Sequence, residues 1–174
     1  ATLTVLFILR MCRDADKTAL LGVAAAFLLV IAADVILVNV LKSLWGRPRM
    51  RLIASDPRAY FIPWWRPDTS LRDTLTASGV AAGEFRSFPS GHTANASCLM
   101  LLSLLPKICP KLTGRQTLLF SIGFLWARLV AFSRITVGAH FLTDSAAGCA
   151  IVLTAITFTQ LPLLLKGLLR SSKN

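Results

Sequence analysis

Residues 19–41 read ALLGVAAAFLLVIAADVILVNVL, 23 residues interrupted only by Asp34 and Asn39. At ~1.5 Å per residue a helix of that length exceeds the ~30 Å of a bilayer's hydrocarbon core, so the stretch predicts a transmembrane helix. The rest of the chain agrees. Of its 174 residues 55% are hydrophobic and 16% charged, with a mean hydropathy of +0.65. Soluble domains are about 45–50% apolar and about 25% charged, so the composition excludes disorder and low complexity and predicts an integral membrane protein.

Three more candidate spans follow: a short one from His92 to Leu105, then Gln116 to Ser133, then His140 to about residue 165, where Pro162 is expected to bend or end the helix. The opening TLTVLFIL, within residues 1–12, is too short to cross and reads as the remnant of an earlier helix; it lacks the basic leader and cleavage site of a signal peptide. The expected fold class is an all-α membrane helix bundle, with residues 1–174 forming one membrane-embedded domain.

Lys and Arg number 19 against 8 Asp and Glu, a net charge of +11. On a soluble domain this would suggest nucleic acid, but here the charges sit between apolar spans and read as membrane topology plus a phosphate site. The four cysteines, Cys12, Cys98, Cys109 and Cys149, have no metal-ligand spacing.

The connection from Trp45 to Pro89 is too long for a simple turn and is rich in Arg, Pro and aromatics. Within it Tyr60-Phe61-Ile62-Pro63-Trp64-Trp65 has the composition of an interfacial aromatic anchor. If several arginines of this connection serve a ligand, the remaining cations (Lys107, Lys111, Arg115, then Lys166, Arg170, Lys173) place the 107–115 loop and the C-terminus in the cytoplasm. The 45–89 loop then faces the extracytoplasmic side of a multi-pass protein of the cell or inner membrane.

Three clusters at span ends on that side carry the chemistry. The first, Lys42 to Arg51, releases one Lys and three Arg as the first helix leaves the bilayer; snorkelling cations at a helix end are its plain alternative. The second, Phe88-Pro89-Ser90-Gly91-His92-Thr93, opens into an apolar helix whose free N–H groups suit an anion, although Pro89 and Ser90 can equally be a simple cap. His92 stands there with an imidazole that titrates near neutrality. The third, Ser133 to Asp144, holds Arg134, His140 and Asp144; the last two, four apart, would share one face of a helix, letting the carboxylate accept from one imidazole nitrogen. No acidic cluster for Mg²⁺ and no Cys/His set for Zn²⁺ accompanies them, so neither metal nor cofactor is expected. A clamp of cations, an oriented nucleophile and a second acid/base are what phosphoryl transfer requires.

These clusters resemble the motifs of the phosphatidic acid phosphatase type 2 family, which shares its site with vanadium haloperoxidases. That pattern is a Lys, six residues, then Arg-Pro; a Pro-Ser-Gly-His; and a Ser-Arg, five residues, His, three residues, Asp. The second and third are complete here, as Pro89-Ser90-Gly91-His92 and Ser133-Arg134 with His140 and Asp144. In the first, Arg49 follows Lys42 at the family spacing, but Met50 replaces the Pro, and Arg47-Pro48 offers a second Arg-Pro pair two residues earlier. The resemblance covers about residues 19–165. It implies the C-terminal four to five helices of a six-helix core, with His140 as a nucleophile forming a phosphohistidine, Asp144 as its orienter and His92 as general acid. Lys42, Arg49, Ser90, Gly91 and Arg134 would hold the phosphate. The implied activity is metal-independent hydrolysis of a lipid phosphate or diphosphate head group at the outer membrane face. The alternatives are a lipid phosphotransferase using the same phosphohistidine and a non-catalytic protein that binds lipid phosphate. The expected partners are a phosphorylated lipid and the bilayer, with no nucleic acid.

Two further charges, Asp34 and Arg128, lie eight residues before Lys42 and six before Arg134. These offsets put them ~12 Å and ~9 Å below the phosphate level. At such similar depth an ion pair between them is expected, since an isolated intramembrane charge costs about 2.5–3.5 kcal/mol.

Overall fold

A computed structural model describes residues 16–171, with side chains described through residue 160. The reading of residues 1–12 and the cations Lys166, Arg170 and Lys173 lie outside the described backbone or side chains. Asp16 caps the first helix, α1 (Lys17–Trp45), its carboxylate accepting from the Ala19 N–H at 3.0 Å. The helix stops at Gly46, whose φ of 58° and whose approach to the Asp68 carbonyl leave no room for a Cβ. The 46–90 connection holds two short helices, α2 (Met50–Ser55) and α3 (Ser70–Ala77), and a 3₁₀ turn at Ala82–Phe85. It is built around its own small core of Leu52, Ala59, Ile62, Leu71, Leu75 and Phe85.

The chain then re-enters the bundle as α4 (Gly91–Ser97), which tightens into a 3₁₀ segment over Cys98–Lys107. Winding that segment at ~2.0 Å per residue gives the whole Gly91–Lys107 rod a length of about 30 Å, which explains how a stretch short by α-helical measure matches a hydrocarbon core. A 3₁₀ turn at Pro110–Leu112 leads to α5 (Gln116–Thr136), and α6 runs over Leu142–Ser171. It continues past residue 162, so of the two expected effects of Pro162, a bend or an end, the helix does not end there. Among the described residues every regular element is helical.

The burial pattern is that of a protein in lipid. On α1 the inward stripe is Val23, Ala26, Val30, Asp34 and Val38, while Leu21, Leu28, Leu29 and Ile36 point outward. Lys17–Ser55, Gln116–Thr136 and Leu142–Gln160 each contain a window long and apolar enough to cross a membrane. The chain is therefore a helical membrane protein. The small core residues draw the rods close: a Cβ on Gly123 of α5 would sit 2.5 Å from the Met100 nitrogen, and one on Gly148 of α6 would sit 2.4 Å from the Ser90 carbonyl. The second contact locks α6 against the start of α4.

The expected Asp34–Arg128 pair does not form. Asp34 is buried on α1 and accepts from the Cys98 thiol, whereas Arg128 faces outward with its guanidinium over the Phe124 ring. Depth along a helix can be counted in sequence; the direction in which the side chain leaves it depends on how the helix is rotated in the bundle.

Candidate active site

Four chain segments meet where α1 ends, α4 and α6 begin and α5 stops. A cavity of about 340 Å³ opens there between α1, α4, the 46–90 connection and His140, lined by Asp34, Asn39, Lys42, Arg49, Arg86, Gly91, His92, Asn95 and His140 among others. Five of the residues singled out in the sequence (Lys42, Arg49, Gly91, His92 and His140) therefore share one cavity. The imidazoles of His92 and His140 are 6.4 Å apart, centroid to centroid.

His140 does not lie on the helix with Asp144. It precedes the first turn of α6, buried, and its Nδ1 lies 2.7 Å from the Ser87 carbonyl. A carbonyl only accepts, so Nδ1 carries a proton, and in the neutral tautomer this contact selects, Nε2 holds the lone pair. Asp144 is 3.8 Å from the same nitrogen, so the direct bond expected from the four-residue spacing gives way to an indirect hold. The link is Ser87. Its hydroxyl donates to Asp144 Oδ2 at 2.6 Å, and its N–H donates to the Arg47 carbonyl at 3.1 Å. Asp144 also accepts from the Phe141 N–H at 2.8 Å, closing the start of α6, and pairs with Arg47 through Oδ1. Both members of that ion pair are buried.

Arg47 and Arg49 therefore differ in kind. Arg47 bonds Asp144 and the Thr143 hydroxyl, and its guanidinium packs on both the Phe61 and Phe141 rings. Arg49 is on the cavity wall, its N–H bonded to the Glu84 carbonyl at 2.8 Å and its buried Nε unpartnered. Met50 is the first residue of α2, a position at which Pro is favoured because the N–H there has no helical partner. Arg49 has the extended backbone (φ −75°, ψ 151°) that a following Pro would demand. The turn of the first motif is thus kept without its proline, and Arg49 rather than Arg47 faces the cavity.

Lys42 donates to the Arg86 carbonyl at 2.8 Å, and the Arg86 guanidinium donates to Asn39. Arg51 makes a two-bond contact with Glu84, which holds that carboxyl below the usual range and fastens the Ala82–Phe85 turn to α2. Ser90 is fully buried and off the cavity wall; its hydroxyl caps α4 toward Thr93, and its N–H donates to the Asp144 carbonyl at 2.9 Å. Arg134, in the last turn of α5, lies outside the lining but near enough for its charge to act on Arg49 and His92, and its buried Nε has no partner. Among the described residues no three His, Cys, Asp or Glu side chains gather as a metal site.

Sequence reasoning missed Ser87, Arg86 and Asn39. Ser87 carries no motif, and only the fold brings it between His140 and Asp144. The aromatic segment packs on the chain just before α4: Trp64 stacks on Phe88 at 6.3 Å, and Trp45 packs on the same ring at 4.9 Å while donating to the Trp64 carbonyl.

A family model described as the PAP2 superfamily matches residues 23–163. Phosphatidylglycerophosphatase B of Bacillus subtilis (strain 168) is 38% identical over 67 residues, covering 37% of this chain and 33% of that protein. The match thus spans about a third of the relative's length. No solved structure matches the chain. Since the family model takes in most of the sequence, including all three motif clusters and the cavity they line, the chain belongs to the PAP2 superfamily.

Proposed function

We propose that the protein hydrolyses a phosphate or diphosphate ester on a lipid head group, without a metal, through a phosphohistidine on His140. The observation that carries this reading is the state of His140: Nδ1 is fixed on the Ser87 carbonyl, and the ring borders a cavity that also holds Lys42, Arg49, Arg86 and His92. Nε2 attacks phosphorus, and the bond to the leaving oxygen breaks. His92, across the cavity, gives that oxygen its proton. Water, deprotonated by His92, then attacks the phosphohistidine, and inorganic phosphate leaves with His140 restored. Charge on the non-bridging oxygens falls to Lys42, Arg49, Arg134 and the Gly91 N–H, with Ser90 holding the turn. The relative's name supports a lipid phosphate as the substrate class.

The site is assigned to the extracytoplasmic face. Lys107, Lys111 and Arg115 stand at the opposite end of the rods from the cavity, and with the arginines of the 45–89 connection committed to the site they support the cytoplasm at that end.

Phosphate release from phosphatidylglycerophosphate and phosphatidic acid in detergent tests the reading. Release is expected to persist in excess chelator and to stop with vanadate, which adopts the five-coordinate geometry of the transfer. Activity lost in chelator and restored by Mg²⁺ would contradict it.

A further inference from the structure

The phosphate clamp leaves Arg86 and Asn39, both on the cavity wall, unused. Asn39 is three residues before Lys42 on α1, about 4–5 Å nearer the bilayer centre. Asn39 and Val35 are exposed, whereas Val38 and Asp34 on the same helix are buried. Among the described residues the cavity therefore opens toward lipid on the Asn39 side. The part of a lipid that is not gripped beside His140 and Gly91 leaves past Asn39.

Arg86 starts at the level of the clamp, where its carbonyl accepts from Lys42 at 2.8 Å. Its guanidinium turns back to α1 and donates to Asn39 Oδ1 at 3.2 Å. An arginine at a membrane interface ordinarily extends outward to water; this one is held on the lipid side of the cavity. The Asn39 amide is itself oriented, since it donates to the Val35 carbonyl at 2.8 Å and so aims Oδ1 at Arg86. An amide carries no charge. It positions the guanidinium and leaves its charge unanswered, and among the described residues no carboxylate pairs with Arg86. Asp34, the carboxylate on the same wall, is five residues, ~7 Å, below Asn39 and buried.

Charge separates this cation from the clamp. A phosphate monoester carries about 1.5 to 2 negative charges near neutral pH, and Lys42, Arg49 and Arg134 already answer them. A further cation on the path toward the lipid tails is in excess for that group and fits a second one. Its remaining N–H donors form the planar fork that suits a phosphate.

We propose that Arg86, oriented by Asn39, is a specificity residue that binds a second phosphate group retained on the leaving lipid, so that the protein discriminates substrates by the charge beside the bond it breaks. A lipid diphosphate, or a phosphomonoester attached to a phosphodiester, makes this contact; a lipid monophosphate does not. This rests on the phosphatase reading above.

The test measures kcat/KM for initial phosphate release by the full chain in detergent from phosphatidic acid, diacylglycerol diphosphate and phosphatidylglycerophosphate. Each variant is compared with wild type on the same lipid, which cancels the intrinsic reactivity of the three bonds. Arg86→Gln should lose roughly ten- to hundredfold more on a lipid with a retained phosphate than on phosphatidic acid, the span of a hydrogen bond to a charged group. Asn39→Ala, which keeps the cation and removes its guide, should show the same selectivity at a severalfold level, and its ratio decides if Arg86→Gln is not recovered folded. Selective loss on the diphosphate alone places the second phosphate directly beside the cleaved one, and selective loss on phosphatidylglycerophosphate alone places it a glycerol unit away; either supports the inference. Losses equal on all three lipids, or absent on all three, would overturn it while hydrolysis by the wild type stands. No phosphate from any of the lipids with the wild type would overturn the phosphatase reading and this inference with it.

Discussion

Two polar regions adjoin at His140, and they differ in how completely their charges are answered. Behind the ring, Asp144, Arg47, Ser87 and the Phe141 N–H form a closed set in which the carboxylate has donors on both oxygens. In front of it Lys42, Arg49 and Arg86 line an open cavity that has one carboxylate, Asp34, at its inner end. The Nε atoms of Arg47 and Arg49 are alike buried and unpartnered, so the contrast lies in the terminal nitrogens, which in Arg47 are bonded to Asp144 and Thr143. The same side chain, arginine, is scaffold in one region and receptor in the other, although the two stand only two residues apart. A cation that has its counter-ion within the fold holds the site together; a cation that lacks one is left to take the counter-ion from a ligand.

Exchanging those roles should produce the largest effect. Arg47→Met removes one half of a buried ion pair and should cost about 3–5 kcal/mol of stability, enough to prevent recovery of folded protein, and Asp144→Asn in the same chain should restore part of it. Arg49→Met should fold as wild type, by thermal unfolding in detergent, yet lower kcat/KM on a lipid phosphate about 10²–10³-fold, the usual loss for one charge-stabilising donor. The opposite pattern would reverse the assignment of the two arginines.

The next effect sharpens the contrast inside the cavity. His92→Ala should slow a lipid phosphate about 10²-fold and an aryl phosphate far less, because a good leaving group needs little help from an acid. Equal losses on both substrates would show that His92 does not protonate the leaving oxygen.

How much of this the sequence held depends on what kind of information each feature needs. The four rods and the cavity residues Lys42, Arg49, Gly91, His92 and His140 follow from hydropathy and three local motifs, because span length and helix ends are properties of contiguous residues. The division between Arg47 and Arg49 is not local: it turns on where Asp144 sits, 97 residues later. The hold on His140 is non-local as well. A four-residue spacing implies contact only when both residues are helical, and here the helix starts at Leu142, so the ring turns to Ser87 instead. Asp34 and Arg128 agree in depth and fail in direction. The close backbone approach of the 3₁₀ segment Cys98–Lys107 to Gly123 of α5 is likewise a contact that hydropathy does not register.

The smallest effect tests the contact that fastens the Ala82–Phe85 turn to α2. Glu84 is held below the ordinary carboxyl range mainly by its hydrogen bonds from Arg51, so the pair adds stability above that ordinary value and loses it as the pH falls through the lowered one. Because the pair is partly exposed, Glu84→Gln should destabilise by under ~1 kcal/mol near neutral pH. Thermal unfolding of the two proteins should converge on acidification; a difference that persists in strong acid would mean that the glutamate acts through packing instead.

The central claim is that His140 carries the phosphoryl group. Rapid quench of the protein with a lipid bearing labelled phosphate, followed by denaturation without acid, should leave label on His140 that is released by mild acid and absent from His140→Ala. Label retained in His140→Ala, or steady phosphate release by that variant, would contradict the account.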